Sequence, residues 1–159
     1  MAKEIGIRLG SFSGYDLLYK KQKSETQYSR FRLSNAKLEL NKIANLTAYD
    51  FFINFGLGLE NRVPLGNNFA MVHGWEPSLG FGFSGSGKLE TININPRIGY
   101  IFGFMYSINN KFAISIESVP SLYISTSIEV IESKTNSSIN RVGFDYSSSL
   151  ISLSMVGRF

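Results

Sequence analysis

Phe69-Ala70-Met71-Val72-His73-Gly74-Trp75-Glu76-Pro77-Ser78-Leu79-Gly80-Phe81-Gly82-Phe83 alternates along its whole length. Phe69, Met71, His73, Trp75, Pro77, Leu79, Phe81 and Phe83 fall on one parity, and Ala70, Val72, Gly74, Glu76, Ser78, Gly80 and Gly82 on the other. After Gly85-Ser86-Gly87 the alternation resumes, with Ile92, Ile94, Pro96, Ile98, Tyr100, Phe102, Phe104 and Tyr106 against Asn93, Asn95, Arg97, Gly99, Ile101 and Gly103. Period two is the signature of a β-strand with two unlike faces. These runs are far longer than the roughly 5–6 residues of an ordinary soluble strand. Their large side chains form one unbroken face, and the opposite face is mostly small or polar. A soluble sandwich hides its large residues inside, whereas a membrane barrel turns them out to lipid and keeps a crowded polar interior.

Working outward from this hairpin, the rest of the chain fits the same plan. It has 159 residues and reads as a single domain over 1–159. Mean hydropathy is near zero, and no segment approaches the roughly 18 consecutive apolar residues of a membrane helix. Of the structures that satisfy their backbone in hydrocarbon, only a closed barrel allows such average hydropathy. The absence of cysteine excludes a disulfide scaffold and a thiolate metal site. The net charge of +4 comes without a Lys/Arg block, so a nucleic-acid partner is not expected. Met1-Ala2-Lys3-Glu4 leads straight into alternation with no apolar leader, as expected of a barrel sequence in mature or trimmed form, with a soluble cytosolic β-protein as the rival explanation.

Alternation also marks 5–9, 15–21, 28–40, 51–60, 112–130 and 142–159. In 28–40 the phase slips: Phe31 and Leu33 share one parity and Ala36, Leu38 and Leu40 the other, which predicts a β-bulge near Ser34-Asn35. A Ser-rich slip at 147–149 interrupts the last strand. Splitting the first segment at 11–14 makes eight strands and leaving it whole makes seven; bacterial barrels favour even numbers. The expected fold is therefore an all-β, eight-stranded antiparallel up-and-down transmembrane barrel. Turns at 23–26, 63–68 and 109–110 lie on the periplasmic side with both termini, and loops at 11–14, 41–48, 84–90 and 132–138 lie outside.

The closing Ile151-Ser152-Leu153-Ser154-Met155-Val156-Gly157-Arg158-Phe159 alternates and ends on an aromatic residue. It resembles the C-terminal assembly signal of Gram-negative outer-membrane barrels, with Met155 and Phe159 as its apolar positions. Gly6-Ile7-Arg8-Leu9-Gly10 and Gly56-Leu57-Gly58-Leu59-Glu60 are similar to segments of small eight-stranded barrels of the OmpX and OmpA architecture, particularly those of Bacteroidota. The resemblance implies outer-membrane location, insertion by the barrel assembly machinery, and contact with membrane lipids and other outer-membrane proteins. It carries no activity and no cofactor.

Parity assigns the chemistry. Glu76, Glu117, Glu129, Arg97 and Arg30 or Arg32 point inward, where paired carboxylates suggest either hydrolysis or, more simply, an interior ion-pair network. Eight strands leave room for side chains or one small ligand, not an open pore. The inward glycines Gly56, Gly58, Gly80, Gly82, Gly99 and Gly103 suggest space for such a ligand. His73, the single histidine, points outward. The lipid A palmitoyltransferase barrel is similar in strand number but uses a histidine near its extracellular rim. Loops 41–48, 84–90 and 132–138 have none, which speaks against that enzyme. Residues 80–87 are Gly-rich but lack the Lys-Ser/Thr and helix of a phosphate loop.

Lys3, Lys20, Lys21, Lys23, Arg30, Arg32, Arg62, Lys111 and Arg158 gather toward the periplasmic end. Anionic head groups there are the expected partner, with an acidic periplasmic protein as the alternative. Pro77, Pro96 and Pro120 fall on outward positions of three successive strands, at similar height. Proline removes a ladder donor and is normally kept off central strands. Flanked by Trp75, Tyr100 and Phe102, the three suggest weakened pairing and a contact surface within the membrane; three separate bulges are the simpler alternative. The expected function is a non-enzymatic structural or accessory barrel, with a small-ligand or lipid carrier as the alternative and a lipid-modifying enzyme behind both.

Overall fold

The structure is a computed structural model that describes residues 1–9, 15–43, 46–131, 134–146 and 151–159. Ten strand segments occur in order: β1 Lys3–Leu9, β2 Tyr15–Gln22, β3 Gln27–Ile43, β4 Leu46–Pro64, β5 Phe69–Ser86, β6 Leu89–Ser107, β7 Phe112–Ser118, β8 Ser121–Ile131, β9 Lys134–Asp145 and β10 Ile151–Arg158. They make eight staves. β7 and β8 pair with the same strand in one register, Phe102 with Ser118 and Gly99 with Ser121, so they are one stave interrupted at Val119-Pro120. β9 pairs with β8 and β10 with β7, which makes them the next stave. β10 then pairs with β1, Glu4 opposite Arg158 through Leu9 opposite Leu153, and closes the wall. All pairings are antiparallel, and each stave neighbours the next in the chain.

The register sets the tilt. From Ser78 the partners run through Gly56, Arg32, Leu18, Gly6, Val156, Ala113 and Ser107 to Asn68, ten residues earlier on the starting stave. A stagger of this size goes with strands inclined about 35–45° to the barrel axis. The 19 residues of β4 or β6 extend about 60 Å at roughly 3.3 Å per residue, or about 45 Å along the axis. An apolar band about 25 Å tall leaves about 20 Å of β-sheet beyond the membrane.

That overshoot corrects the expected loops. Strand persists through Ile43, from Leu46, through Ser86, from Leu89 and from Lys134. The 84–90 loop is a two-residue turn, Gly87-Lys88, between the pair Ser86 and Leu89. Gly87 there has φ 65°, a conformation glycine takes without strain. Sheet above the membrane meets water, so its residues need not be apolar, and composition alone disguised it as loop. The expected turn at 11–14 and the slip at 147–149 lie outside the described residues. The expected bulge is present: Ser34 opposes Asn54 and Lys37 opposes Phe52, which turns Leu38 and Leu40 outward like Phe31 before it. At the other end, the Asn109 carboxamide oxygen accepts the N–H groups of Lys111 and Phe112 at 2.7 and 2.9 Å and holds the turn.

Phe81, Ile98, Phe102 and Leu122 are exposed on the outer wall, and Phe51 shares their face. Small apolar residues fill part of the interior, among them Val72, Ile101, Ala113 and Val156. Ile98→Arg, within the apolar band, is expected to lower stability by about 2–4 kcal/mol, and Leu40→Arg, near the top of the sheet, by under about 1 kcal/mol. Urea unfolding of the barrel in lipid bilayers measures both.

Candidate functional site: the ionic interior and the proline wall

Alternation places one or two inward charges on most staves, and the stagger decides which of them meet. Near the termini, Arg62 on β4 donates two hydrogen bonds to the Glu4 carboxylate on β1, at 2.8 and 2.6 Å, and lies 3.6 Å over the Tyr28 ring. Arg158 Nε donates to the same carboxylate at 2.8 Å and its Nη2 to Ser107 at 3.2 Å. One level up, Arg30 on β3 reaches three glutamates on three staves: Glu76 at 2.6 Å, Glu117 at 2.6 Å and Glu60 at 3.2 Å. Lys20 Nζ sits 2.6 Å from Glu60 and 3.4 Å from Glu117. Above this, Arg32 holds Glu76 at 2.7 Å and Ser34 at 3.0 Å. Arg8 pairs with Asp16 at 3.3 Å and donates to Ser152 at 2.6 Å.

Lys20, Arg30, Glu4, Glu60, Glu76 and Glu117 are all 1% exposed or less. Unpaired, each would carry a desolvation cost of several kcal/mol; here every carboxylate has a cationic partner. Arg30 Nη2 is the exception among these cations' donors and has no partner. With Ser107 and Ser115 the network touches all eight staves, so it ties the wall together across the lumen.

Of the residues expected inside, Glu76, Glu117, Arg32 and Arg30 belong to this cluster. Arg97 lies above it, half-exposed, 3.6 Å from Asp145 and 5.3 Å over the Tyr123 ring. Glu129 is higher again on β8, opposite Thr91 of β6. Lys20, Arg62 and Arg158, grouped by sequence with the cations of the periplasmic end, face the lumen there as Arg30 and Arg32 do; Lys3, Lys21, Lys23 and Lys111 are exposed. Parity carried that signal, since Lys20 alternates with the outward Tyr19 and Lys21. The inward glycines do not leave free space. A Cβ on Gly56 would meet the Glu76 carboxylate at 3.2 Å, on Gly82 the Phe52 ring at 2.9 Å, and on Gly103 the backbone of β7. They are small because large neighbours lie over them.

Above the cluster, Asn95, Arg97, Tyr123, Ser125, Arg141 and Asp145 line a polar cup of about 470 Å³. Gly143 seats Tyr123, because a Cβ there would stand 2.6 Å from the phenolic oxygen.

On the outer wall, all six residues of the expected contact surface come together. Trp75 opposes Tyr100 with ring centroids 4.9 Å apart, Pro77 opposes Ile98, Leu79 opposes Pro96, and His73 opposes Phe102. The Pro120 carbonyl accepts the Tyr100 N–H at 2.9 Å. Each proline coincides with a gap in one ladder: β4–β5 at Pro77, β6–β8 at Pro96, and the β7–β8 junction at Pro120. Within these three ladders the register is the same on both sides of each gap, whereas toward the last stave it shifts by three residues across Pro120, from Ser118 opposite Ile151 to Ser121 opposite Asp145. Met155 and Phe159 are exposed, and Phe159 exchanges two backbone hydrogen bonds with Lys3 at 3.0 and 3.1 Å.

In overall shape the chain is similar to Ail, the attachment invasion locus protein of Yersinia pestis. The TM-score is 0.46 and sequence identity 10%, over 99% of this chain and 94% of that one. No family model and no curated protein matches the chain.

Arg30→Met leaves three buried carboxylates short of a partner and is expected to cost about 3–5 kcal/mol. Arg97→Met, at a half-exposed and solvent-screened pair, is expected to cost under about 1 kcal/mol. Equilibrium unfolding of the two folded variants checks the contrast.

Proposed function

We propose that this chain is a non-enzymatic integral protein of the Gram-negative outer membrane, a structural or accessory subunit of a larger outer-membrane complex. What carries this reading is the contrast between an interior whose buried carboxylates are paired with cations and an outer wall with one distinctive face. The charged groups of the lumen pair among themselves, and carboxylates held by guanidinium and ammonium groups are poor general acids or bases. His73 faces away from them. The Trp75, Pro77, Pro96, Tyr100, Phe102 and Pro120 face joins aromatic surface to three interrupted ladders. In hydrocarbon an unsatisfied backbone group costs several kcal/mol, which favours cover at that face over bare lipid contact. Membrane lipids surround the rest of the wall, and the barrel assembly machinery engages the β10 end at Met155 and Phe159 during insertion.

The polar cup favours a second reading, a barrel that holds a small anionic ligand. Arg97 and Arg141 outnumber Asp145 there, and Tyr123, Asn95 and Ser125 add hydrogen-bonding groups.

The test is purification from native membranes in mild detergent, comparing the wild type with a variant replaced at Pro77, Pro96 and Pro120. A stoichiometric outer-membrane partner is expected with the wild type. The variant is expected to lose it while keeping the gel shift of a folded barrel on unheated samples. Recovery of the barrel alone contradicts the subunit reading; a co-purified small anion lost in Arg141→Ala favours the second.

A further inference from the structure

The gap that Pro77 makes in the β4–β5 ladder does more than weaken the wall. Leu57 and Gly58 face Glu76 and Pro77 without bridging, between the intact pairs Gly56 with Ser78 and Leu59 with Trp75. Over this gap the outer wall carries a groove of about 520 Å³. Phe31, Leu57, Leu59, Trp75 and Pro77 form its sides. Toward the turn end it runs past Ser29 to Gln27, whose side chain donates to Asn61 at 3.3 Å, and it ends at Lys23. From Phe31 to Gln27 the distance along the strand is about 13 Å at roughly 3.3 Å per residue. Lys21, opposite Ser29 in the register, points out beside the same end. Neither the Lys21 nor the Lys23 ammonium meets a carboxylate among the described residues, although every lumen carboxylate is paired.

We propose that this groove is a binding site for one anionic phospholipid of the periplasmic leaflet. Its acyl chain lies against Phe31, Leu57, Leu59, Trp75 and Pro77, and its phosphate lies at Lys23 with Lys21 beside it. The chemistry selects this occupant. An apolar channel that stops at unpaired cations at the membrane boundary complements an amphiphile with an apolar tail and an anionic head. The groove borders the proline face on Trp75 and Pro77, so a lipid seated here fills the edge of that surface. The site rests on the outer-membrane reading above.

Trp75 is the only tryptophan of the chain and stands in the groove wall, so its fluorescence reports occupancy directly. The experiment reconstitutes the full chain into vesicles mixing phosphatidylglycerol and phosphatidylcholine, with bromine on the acyl chains of one lipid at a time. Brominated phosphatidylglycerol is expected to quench Trp75 as if enriched about fivefold over its bulk fraction, the worth of one lysine near an anionic surface. Lys23→Ala is expected to remove most of the enrichment, Lys23→Arg to retain it, and Lys111→Ala, in another turn at the same end, to leave it unchanged. Equal quenching by the two brominated lipids overturns the site while the barrel remains inserted. An equal loss in Lys111→Ala also overturns it, because the preference then belongs to the charged rim as a whole. Absence of quenching by either lipid means Trp75 is not in hydrocarbon, and the membrane reading itself falls.

Discussion

The guanidinium of Arg30, bound at once to Glu60, Glu76 and Glu117, is the interaction on which the rest of this barrel depends. Eight strands enclose a lumen wide enough for side chains or one small ligand. The outer surface is given over to lipid, so the barrel has no large apolar core to hold opposite walls together. Cohesion across the lumen comes from charge. A buried ion pair gains little over a well-packed apolar pair, but a broken one is expensive because it strands a charge. The network therefore acts chiefly through specificity: with Glu4 bound to Arg62 and Arg158, and Arg8 to Asp16, a slip of one residue in any stave would turn a set of charges into lipid.

The buried carboxylates of the lumen are paired internally, and the interrupted ladders lie on the outer wall. Pro77 and Pro96 interrupt ladders without changing register, and Pro120 does so toward β6, so this part of the wall loses backbone pairing while those staves stay aligned. Their clustering on neighbouring staves follows from the pairing of Pro77 with Ile98 and Leu79 with Pro96. The Trp75–Tyr100 pair lies among them. Interruption and aromatic surface meet in one place on that face.

The fold was legible because its signal is local. Alternation from Phe69 to Tyr106 needs no knowledge of distant strands, and the slip between Leu33 and Ala36 announces the bulge at Ser34. Pairing inside the barrel was not legible, because it depends on the stagger. Glu4 and Arg62 are 58 residues apart, and nothing near either one reveals that the tilt brings them level. Cationic type also obscured part of the interior: Lys20 and Arg62 read only as cations of the periplasmic end because charge suggests water, although their parity set them inside. The polar stretches at 84–90 and 132–138 read as loops for a related reason. Hydrophobicity distinguishes a strand where it meets lipid, and that signal stops where the sheet leaves the membrane.

Charges paired across the lumen hold the staves in register. The most direct measurement is a double-mutant cycle on Arg30 and Glu117, 87 residues apart in sequence and joined at 2.6 Å. Arg30→Met, Glu117→Met and the double variant would be unfolded reversibly in lipid bilayers. The two changes are expected not to add, with a coupling of about 2–3 kcal/mol, the upper end of the range for residues in one network. Additivity within about 0.5 kcal/mol, the behaviour of independent sites, would contradict it.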